Sequence, residues 1–356
     1  MPDNAPRTIL PLAIAAALLH WYDRNARDLP WRAPPGANAP DPYRVWLSEV
    51  MLQQTQVASV IPYFDKFTRT WPSVEALAAS EDADLMAAWA GLGYYARARN
   101  LLACAREVAR RGAFPDTEQG LRELPGVGGY TAAAIAAIAF GRRAVVVDAN
   151  VERVVSRLFA VEEALPGAKA TIYARTDSIT PDLRSGDFAQ AMMDLGSSIC
   201  TARNPKCLLC PLREDCAGFA SGTPDRYPIK AAKAPKPQRH GTMFWLERGD
   251  QVLLVRRPDK GLLGGMRALP TGTWADSPPG LDAAPAAADW RMLGESVSHG
   301  FTHFNLDVRL AAATIPSHAG AAVAGEWWPI ADLESAGLPT VFAKAARTFR
   351  RVLCAV

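Results

Sequence analysis

The chain has 356 residues, more than one compact core usually holds, so its length favours two domains. Hydrophobic residues make up 49% and charged residues 21%, a composition that excludes a wholly disordered chain and an integral membrane protein. The formal net charge is +3, but residues 1–225 carry 23 basic and 25 acidic side chains, whereas residues 226–356 carry 16 and 11. Any nucleic-acid-binding face on the first part must therefore be local.

The first apolar stretch, residues 9–19 behind Arg7, faintly resembles a secretion signal but is too short to span a bilayer. Pro11 suits the first turn of a helix, and residues 20–22 continue that helix instead of forming a cleavage site. We interpret the stretch as the first helix of a soluble protein.

Residues 9–217 are helical by pattern, because apolar residues recur at three- and four-residue spacing between Pro and Gly breaks. Asp41-Pro42 predicts the start of one long helix that runs towards Phe67. A second predicted helix of small residues covers 131–140 and ends at Gly141. The sequence predicts an all-α domain over residues 1–218.

Residues 219–240 are rich in Pro and basic side chains, which predicts either a linker that lies along phosphates or a solvated spacer. Beyond them, 243–247 and 252–256 flank a turn as a hairpin, and 301–310 alternate like a strand. Residues 343–353 have the pattern of a closing helix. We expect a small α+β domain over 241–356.

Four of the six cysteines lie close together, separated by six, two and five residues: Cys200, Cys207, Cys210 and Cys216. Such spacing brings four thiolates to one point, as a metal centre requires. Two disulfides are disfavoured without a convincing secretion signal. Structural zinc is disfavoured because the motif has one Cys-x-x-Cys pair and no histidine. We expect one [4Fe-4S] cluster, with zinc as the main alternative.

A glycine-rich turn, LPGVGG at residues 124–129, separates two helical runs. Its backbone N–H groups, at the start of the next helix, make a natural phosphate site, although such turns are often only structural. About twenty residues later, Asp148 precedes a helical run over 151–159. Asp148 can be an N-cap, and a helix N-terminus also keeps a carboxylate ionised.

These features together resemble the helix-hairpin-helix DNA glycosylase superfamily, in the branch with endonuclease III, and most closely its adenine glycosylases of the MutY type. The resemblance is carried by residues 46–57 (WLSEVMLQQTQV), 91–95 (GLGYY), 124–132 with Asp148, and 188–216. It implies a multidomain fold whose all-α domain carries the [4Fe-4S] loop at 200–216. It also implies base-excision repair of adenine opposite 8-oxoguanine or guanine in double-stranded DNA, by a monomer in the cytoplasm at the nucleoid.

Glu49 lies in the first of these segments, on a helix face that its neighbours make half apolar. An arbitrary helical Glu is usually a surface residue. With the resemblance, we expect desolvation to raise its pKa, so that Glu49 protonates the departing adenine and helps to activate water. Asp148 would stabilise the positive sugar, as in glycoside hydrolysis, once the adenine has left the base stack.

The resemblance implies further site residues. Two lie near the reacting sugar: Tyr130 and Asn150. Six line the adenine pocket: Arg27, Leu29, Trp31, Arg32, Gln190 and Met193. Others wedge into the duplex or contact the opposite base (Gln54, Thr55 and Tyr94), or approach phosphate (Gly126, Val127 and Gly128). Without the family, Trp31 and Tyr94 would be interpreted as core aromatics.

Position 130 separates two kinds of chemistry. Relatives with lyase activity have a lysine there that forms a Schiff base with the sugar. This chain has Tyr130, and no lysine lies between Lys66 and Lys169. We therefore predict a monofunctional glycosylase.

Residues 257–270 and 301–304 resemble the Nudix-like C-terminal domain of the same family. The Glu-rich helix that binds metal in Nudix hydrolases is missing from 271–296, so we expect no nucleotide hydrolysis. The resemblance implies that Phe301, Thr302 and His303 sense oxidised guanine, with Thr302 in place of the usual Ser. The alternative is an ordinary strand with a surface histidine.

Besides a Nudix hydrolase, which the missing Glu-rich helix disfavours, two other functions are alternatives to adenine removal. An endonuclease III-type glycosylase for oxidised pyrimidines is disfavoured by Tyr130 and by the second domain. A non-catalytic lesion-binding protein is disfavoured because a pure binder needs neither Glu49 nor Asp148.

Overall fold

The computed structural model describes residues 11–231, 235–258, 261–316 and 324–354. The chain forms two compact units, Met1–Ala232 and Lys233–Val356, which divide inside the expected linker 219–240. Ordered pairing reaches into both ends of that linker: the Leu165 amide donates to the Ile229 carbonyl, and the first strand starts at Gln238. Residues 9, 10 and 232–234, which the sequence assigned to the first helix and the linker, lie outside the described residues.

The first unit is built from helices, as expected. Their bounds are α1 Pro11–Asn25, α2 Pro42–Leu52, α3 Val57–Thr70, α4 Val74–Ala78, α5 Asp82–Trp89, α6 Tyr95–Arg111, α7 Glu118–Arg122, α8 Gly129–Phe140, α9 Ala149–Leu158, α10 Lys169–Ile179, α11 Ser185–Ser198 and α12 Ala217–Ala220. Short 3-10 turns cover Cys207–Leu209, Arg213–Asp215 and Pro224–Arg226. In the described ranges, no helix is long and apolar enough to cross a membrane.

Two hydrophobic cores support this unit. One is formed by α2 to α8 and contains Trp46, Phe64 and Trp89. The other joins α1 to α9, α10 and α11, with Ile14 and Val155 fully buried in it. Burial of large apolar side chains on both sides of α11 fixes the position of this helix between α8 and α9.

Two glycines on α11 let the neighbouring helices approach it closely. A Cβ at Gly186 would lie 2.5 Å from the Ala137 carbonyl oxygen on α8, and one at Gly196 would lie 2.6 Å from the Asn150 Cβ on α9. No larger side chain fits at either position without moving a helix. The starts of α8 and α9, which carry Tyr130 and Asp148, are thereby held at defined distances from α11.

The prediction of one long helix from Asp41 towards Phe67 is wrong. Its start is confirmed, since an Asp41 carboxylate oxygen accepts a hydrogen bond of 2.9 Å from the Tyr43 amide. The helix ends at Leu52, and α3 begins only at Val57, with Gln54 in the left-handed region at φ 57°. The end of α8 is confirmed at Gly141, which has φ 61°.

The second unit is a mixed α+β fold, also as expected. Its strands are β1 Gln238–Arg248, β2 Gln251–Arg256, β3 Arg267–Ala268, β4 Arg291–Gly300, β5 Asn305–Thr314 and β6 Glu326–Pro329, followed by α13 Thr340–Cys354. The sheet order is β3-β2-β1-β5-β4, and β6 pairs with β2. The β1–β2 hairpin and the closing helix are confirmed. Phe342 and Phe349 of α13 are fully buried in the core of the unit.

The prediction of a strand over residues 301–310 is wrong for residues 301–304, which form a turn. β4 ends at Gly300 and β5 starts at Asn305, and the Phe301 amide donates a 2.9 Å hydrogen bond to the Phe304 carbonyl across a tight turn. The register is set by parallel pairing of β5 with β1, from Gln238 opposite Asn305 onwards. Because this pairing joins distant parts of the chain, local alternation could not reveal where the turn falls.

Candidate active site

A cavity of about 360 Å³ opens in the first unit between α2, the starts of α8 and α9, and α11. It brings together twelve of the residues singled out from the sequence: Arg27, Leu29, Trp31, Arg32, Glu49, Gln54, Thr55, Tyr130, Asp148, Asn150, Gln190 and Met193. Its wall also includes residues that the sequence did not single out, among them Ser48, Leu52, Gln53 and Ser197. Tyr94 and the glycine-rich turn are not part of the wall of this cavity.

Glu49 lies in the middle of α2 and is only 7% exposed. Burial raises the pKa of its carboxyl to about 7, because the charged form loses its hydration. A hydrogen bond with Tyr130 opposes this rise in pKa, the negative charge of Asp148 adds to it, and the Arg32 cation opposes it. Near neutral pH this carboxyl can therefore both give and take a proton.

Asp148 is the N-cap of α9. One of its carboxylate oxygens accepts a 2.7 Å hydrogen bond from the Val151 amide, and the other accepts a 2.8 Å bond from the Asn150 side chain. These two donors and the start of α9 direct N–H groups at the carboxyl of Asp148. The structural and functional interpretations of Asp148 are thus compatible: the same carboxylate that caps α9 faces the cavity.

Tyr130 is the second residue of α8, and its hydroxyl is hydrogen-bonded to Glu49. Burial, followed by the negative charges of Glu49 and Asp148, raises the pKa of this phenol well above its ordinary value. Tyr130 therefore stays neutral and acts as a hydrogen-bond donor to the glutamate.

Asp194 is a site residue that the sequence analysis missed. It is 1% exposed and accepts hydrogen bonds of 2.6 and 3.0 Å from the two terminal nitrogens of Arg32, as well as 3.1 Å from the Arg27 amide. This clamp fixes the irregular segment between α1 and α2 over the cavity. The signal that could have found it is helical spacing, since Gln190, Asp194 and Ser197 fall on one face of α11.

The apolar side of the cavity comes from that same segment. Leu29 and Trp31 are 7% and 6% exposed, and the Trp31 ring meets the Phe64 ring edge-on at 5.2 Å. Gln190 is 6% exposed, with its side-chain amide 3.3 Å from the Gly186 carbonyl oxygen. An apolar wall that faces fixed polar groups suits a heterocyclic base.

Gln54, Thr55 and Tyr94 lie on two loops, one between α2 and α3 and one before α6. Tyr94 is 63% exposed and adopts φ 50°, so the interpretation of Tyr94 as a core aromatic is wrong. Gln54 has a left-handed backbone as well, at φ 57°. Non-glycine residues rarely adopt this conformation, which is strained for a residue with a side chain.

The glycine-rich turn connects α7 to α8 and packs against α6. Gly126 has φ 74°, and a Cβ there would lie 2.7 Å from the Asn100 Cβ, so no other residue fits. Val127 is buried, while Gly128 is the N-cap of α8 and a Cβ there would meet nothing within 4 Å. The first turn of α8 has no side-chain cap, which leaves its N-terminal dipole available to an anion.

The cysteine loop follows α11. Cys200, Cys207, Cys210 and Cys216 are free thiols on successive turns, and Arg157 donates a 3.3 Å hydrogen bond to the Cys200 sulfur. Backbone amides of Leu212 and Phe219 contact the sulfurs of Cys210 and Cys216. Burial raises the pKa of the Cys207, Cys210 and Cys216 thiols, and the backbone N–H donors to Cys210 and Cys216 oppose that rise. The thiolate is the form that binds iron. In the described ranges, no three His, Cys, Asp or Glu side chains are gathered around one point as a single metal ion requires.

A chain of hydrogen bonds links the cysteine loop to the cavity. Arg153 donates to the Cys200 carbonyl at 2.7 Å, to the Gly196 carbonyl at 2.6 Å and to the Asn150 side-chain oxygen at 2.9 Å. Asn150 in turn donates to Asp148. The position of Asp148 therefore depends on the geometry of the first cysteine turn.

Phe301, Thr302 and His303 form the β4–β5 turn of the second unit. Thr302 and His303 are exposed at its tip. The Phe301 ring stacks on Trp274 at 5.5 Å and meets His299 at 4.6 Å, while Lys236 donates a 2.7 Å hydrogen bond to the Phe301 carbonyl. The turn thus presents two polar side chains on a rigid aromatic base.

Comparison with known proteins identifies the parts of the chain. Residues 47–180 match the HhH-GPD superfamily base excision DNA repair protein family, 200–216 the iron-sulfur binding domain of endonuclease III, and 242–348 the NUDIX domain. An adenine DNA glycosylase from Homo sapiens is 33% identical, over 95% of this chain and 74% of the relative. One from Mycolicibacterium smegmatis is 40% identical, over 58% of this chain and 71% of the relative.

Among solved structures, a thermostable thymine-DNA glycosylase matches with 29% identity and a TM-score of 0.54, over 59% of this chain and 97% of that chain. The similarity supports the helical fold of the first unit. The similarity to the human protein over 95% of this chain shows that the chain belongs to the adenine DNA glycosylase family and is a base-excision repair glycosylase with an iron-sulfur binding domain and a NUDIX domain.

Proposed function

We propose that this enzyme hydrolyses the N-glycosidic bond of adenine mispaired with 8-oxoguanine or guanine in double-stranded DNA. The observation that carries the proposal is the pair of carboxyls at the cavity: Glu49, with a pKa raised to about 7, beside the hydrogen-bonded Asp148. Two carboxyls in such different environments suit an acid and an anion in one reaction. The names of the relatives support adenine as the base removed.

The base reaches the cavity by leaving the stack, because neither carboxyl can contact it inside a duplex. Glu49 then gives its proton to a ring nitrogen of adenine, and the bond between that base and C1′ of the sugar breaks with its electron pair going to the base. Asp148 stabilises the positive charge left on the sugar. A water molecule adds to C1′ and its proton passes to Glu49, which restores the starting state and leaves an abasic site.

Tyr130 and Asn150 hold the two carboxyls in position for these reaction steps. The Tyr130 hydroxyl orients the Glu49 carboxyl through its hydrogen bond, and the Asn150 amide orients Asp148 at 2.8 Å. The neutral phenol at position 130 offers no amine to attack the sugar, and residues 67–168 contain no lysine. These residues therefore support a monofunctional glycosylase.

We assign one [4Fe-4S] cluster to the four thiols of the loop 200–216, which the match to the endonuclease III iron-sulfur binding domain supports. When bound, such a cluster supplies four iron–thiolate bonds that cross-link this loop. The role of the chain around it is mechanical: Arg157 bonds Cys200, and Arg153 connects the Cys200 turn to Asn150. A monomer working at the nucleoid in the reducing cytoplasm fits a site of free thiols.

We further propose that the β4–β5 turn senses the base opposite the adenine. Thr302 supplies a hydroxyl that can donate and accept, and His303 adds a second polar group, both exposed at the tip. The stacked Phe301 and Trp274 rings give the turn the rigidity that discrimination between similar bases needs.

The test uses three duplexes, with adenine opposite 8-oxoguanine, adenine opposite guanine, or an oxidised pyrimidine opposite a purine. We expect strand breaks at adenine in the first two, and only after alkali treatment opens the abasic site. Breaks at the pyrimidine, or breaks without alkali, would instead identify an endonuclease III-type enzyme. Tight binding with no breaks would identify a non-catalytic lesion-binding protein.

A further inference from the structure

Arg97, in the first turn of α6, is buried in the first unit with only 7% of its surface exposed. Among the described residues, no carboxylate lies within ion-pair distance of its guanidinium, and its Nε has no hydrogen-bond partner. Burial of an unpaired cation is costly unless other groups replace its hydration. In addition, a cation in the first turn opposes the dipole of its own helix. Both costs indicate that Arg97 stabilises segments outside its own helix.

The guanidinium satisfies the carboxyl end of α2, the helix that carries Glu49. One terminal nitrogen donates to the Met51 carbonyl at 2.9 Å, to the Val50 carbonyl at 3.4 Å and, by a short contact, to the Gln53 carbonyl. The last carbonyls of a helix have no partner within the helix, and a cation also complements the negative end of its dipole. Arg97 thus caps α2 from another helix and ends it before Gln54.

The same guanidinium also holds two loops together. Both terminal nitrogens contact the Thr55 hydroxyl, at 3.0 and 3.1 Å, and one donates to the Leu92 carbonyl at 3.2 Å. Its flat face lies 5.1 Å from the Trp89 ring and 5.8 Å from the Tyr94 ring. One side chain therefore connects the loop of Gln54 and Thr55 to the loop that presents Tyr94.

Both loops have backbones that would relax if they were released. Gln54 and Tyr94 sit in the left-handed region, and Gly91 and Gly93 give the second loop further freedom at φ 103° and 70°. Strained residues persist only where their surroundings over-determine them. The planar guanidinium supplies that constraint through its two terminal nitrogens for both loops together, which a lysine ammonium cannot do.

We propose that Arg97 is a positioning residue for base extrusion: it fixes the loops 53–56 and 91–94 as a single rigid edge that enters the duplex and displaces the adenine. The inference rests on the proposed function, because it assigns a task to these loops within adenine removal. It assigns no chemistry to Arg97, which faces the backbone carbonyls of α2 and not the carboxyls of the cavity.

The test compares Arg97→Lys with the parent and with Arg106→Lys. Arg106 is the control, since it also lies on α6 and donates to backbone carbonyls, those of Ala78 and Ser80, and to the Asp82 carboxylate, but touches neither of the two loops. Single-turnover excision is measured on two duplexes with adenine opposite 8-oxoguanine. In one all flanking pairs match, and in the other the flanking pairs are mismatched so that the adenine is already loosely stacked.

We expect Arg97→Lys to excise adenine about tenfold or more slowly from the matched duplex, because loss of several buried hydrogen bonds releases the loops. On the mismatched duplex its rate should return to within about threefold of the parent, because a loosely stacked adenine needs little additional free energy to leave the stack. A 2-aminopurine beside the target adenine should show the same loss of unstacking in the matched duplex. The midpoint of the pH profile should not move, since Glu49 keeps its surroundings.

Equal losses on both duplexes, a shifted pH midpoint, or a rate like that of the parent would each overturn the inference. Melting temperature and iron content verify folding. If Arg97→Lys fails to fold, Thr55→Val removes the hydroxyl that accepts from Arg97, together with the 3.3 Å hydrogen bond that this hydroxyl donates to the Gln53 carbonyl. This variant should show the same dependence on flanking mismatches or else contradict the proposal. If the parent itself leaves adenine intact, the proposed function fails; if the parent is active and the variants match it, only the inference fails.

Discussion

The clamp between Asp194 and Arg32 gives the prediction that the structure specifies most fully. Asp194→Asn keeps the shape of the side chain but removes a buried negative charge that Arg32 contacts at 2.6 and 3.0 Å. Only 1% of the Asp194 side chain and 9% of the Arg32 side chain are exposed, so water cannot replace the lost partner. Breaking such a pair costs about 3 to 5 kcal/mol.

A domain of this size loses about 2 to 4 °C in melting temperature per kcal/mol, so the variant should melt about 6 to 20 °C below the parent. The unpaired Arg32 cation should also act on Glu49. Arg32 already opposes the rise in the Glu49 pKa, and without Asp194 its charge is no longer offset. The Glu49 pKa should therefore fall in the variant.

Because the protonated carboxyl is the active acid, a lower pKa moves the alkaline limb of the rate profile to lower pH. Excision by Asp194→Asn should consequently fall more at pH 8 than at pH 6, relative to the parent, in single-turnover assays of adenine opposite 8-oxoguanine. Asp187→Asn on the same helix is the control, since Asp187 is bonded to Arg184 and the Gly36 amide. A profile displaced to higher pH, or an unchanged melting temperature, would refute this account of the clamp.

Three further predictions concern the site. With a Glu49 pKa of about 7, excision by the parent should decline about tenfold per pH unit well above pH 7, and a rate independent of pH from 6 to 9 would contradict proton donation by this group. Gly196→Ala places a Cβ 2.6 Å from the Asn150 Cβ, so it should destabilise the protein by about 1 to 3 kcal/mol and slow excision. Gly294→Ala, whose Cβ meets nothing within 4 Å, should do neither. Denaturant unfolding and single-turnover kinetics measure both effects, and equal behaviour of the two variants would contradict the prediction. Thr302→Ala with His303→Ala should reduce discrimination between 8-oxoguanine and guanine opposite adenine, and unchanged discrimination in single-turnover assays would reject the role of the turn.

Much of the fold could be predicted from the sequence because the relevant signals are local. The burial of Glu49 is an exception, because it was expected only from the family resemblance and an arbitrary helical Glu is usually a surface residue. By contrast, periodicity indicates the helical unit and Gly141 indicates the end of α8. Asp148 was placed at a helix start by its neighbours alone. The structure agrees in each case, since these features depend on residues within a few positions of one another.

The errors involve partners that are distant in the chain. The break after Leu52 depends on Arg97, whose contact with the Met51 carbonyl spans 46 positions. The Asp194 clamp joins residues 162 positions apart, so the spacing on α11 can indicate Asp194 but no local pattern identifies Arg32 as its partner. The exposure of Tyr94 follows from its left-handed backbone, which composition does not encode. In the first two cases a contact between distant residues overrides local propensity.

The central claim is that the carboxyl at position 49 donates the proton that releases adenine. The most direct measurement is single-turnover excision of adenine opposite 8-oxoguanine by cluster-loaded Glu49→Gln, beside Glu81→Gln, a change at an exposed glutamate before α5. The amide keeps the size of the side chain but has no acidic proton, so Glu49→Gln should lose at least about a hundredfold in rate while duplex binding and iron content persist. Excision as fast as that of the parent would contradict the mechanism.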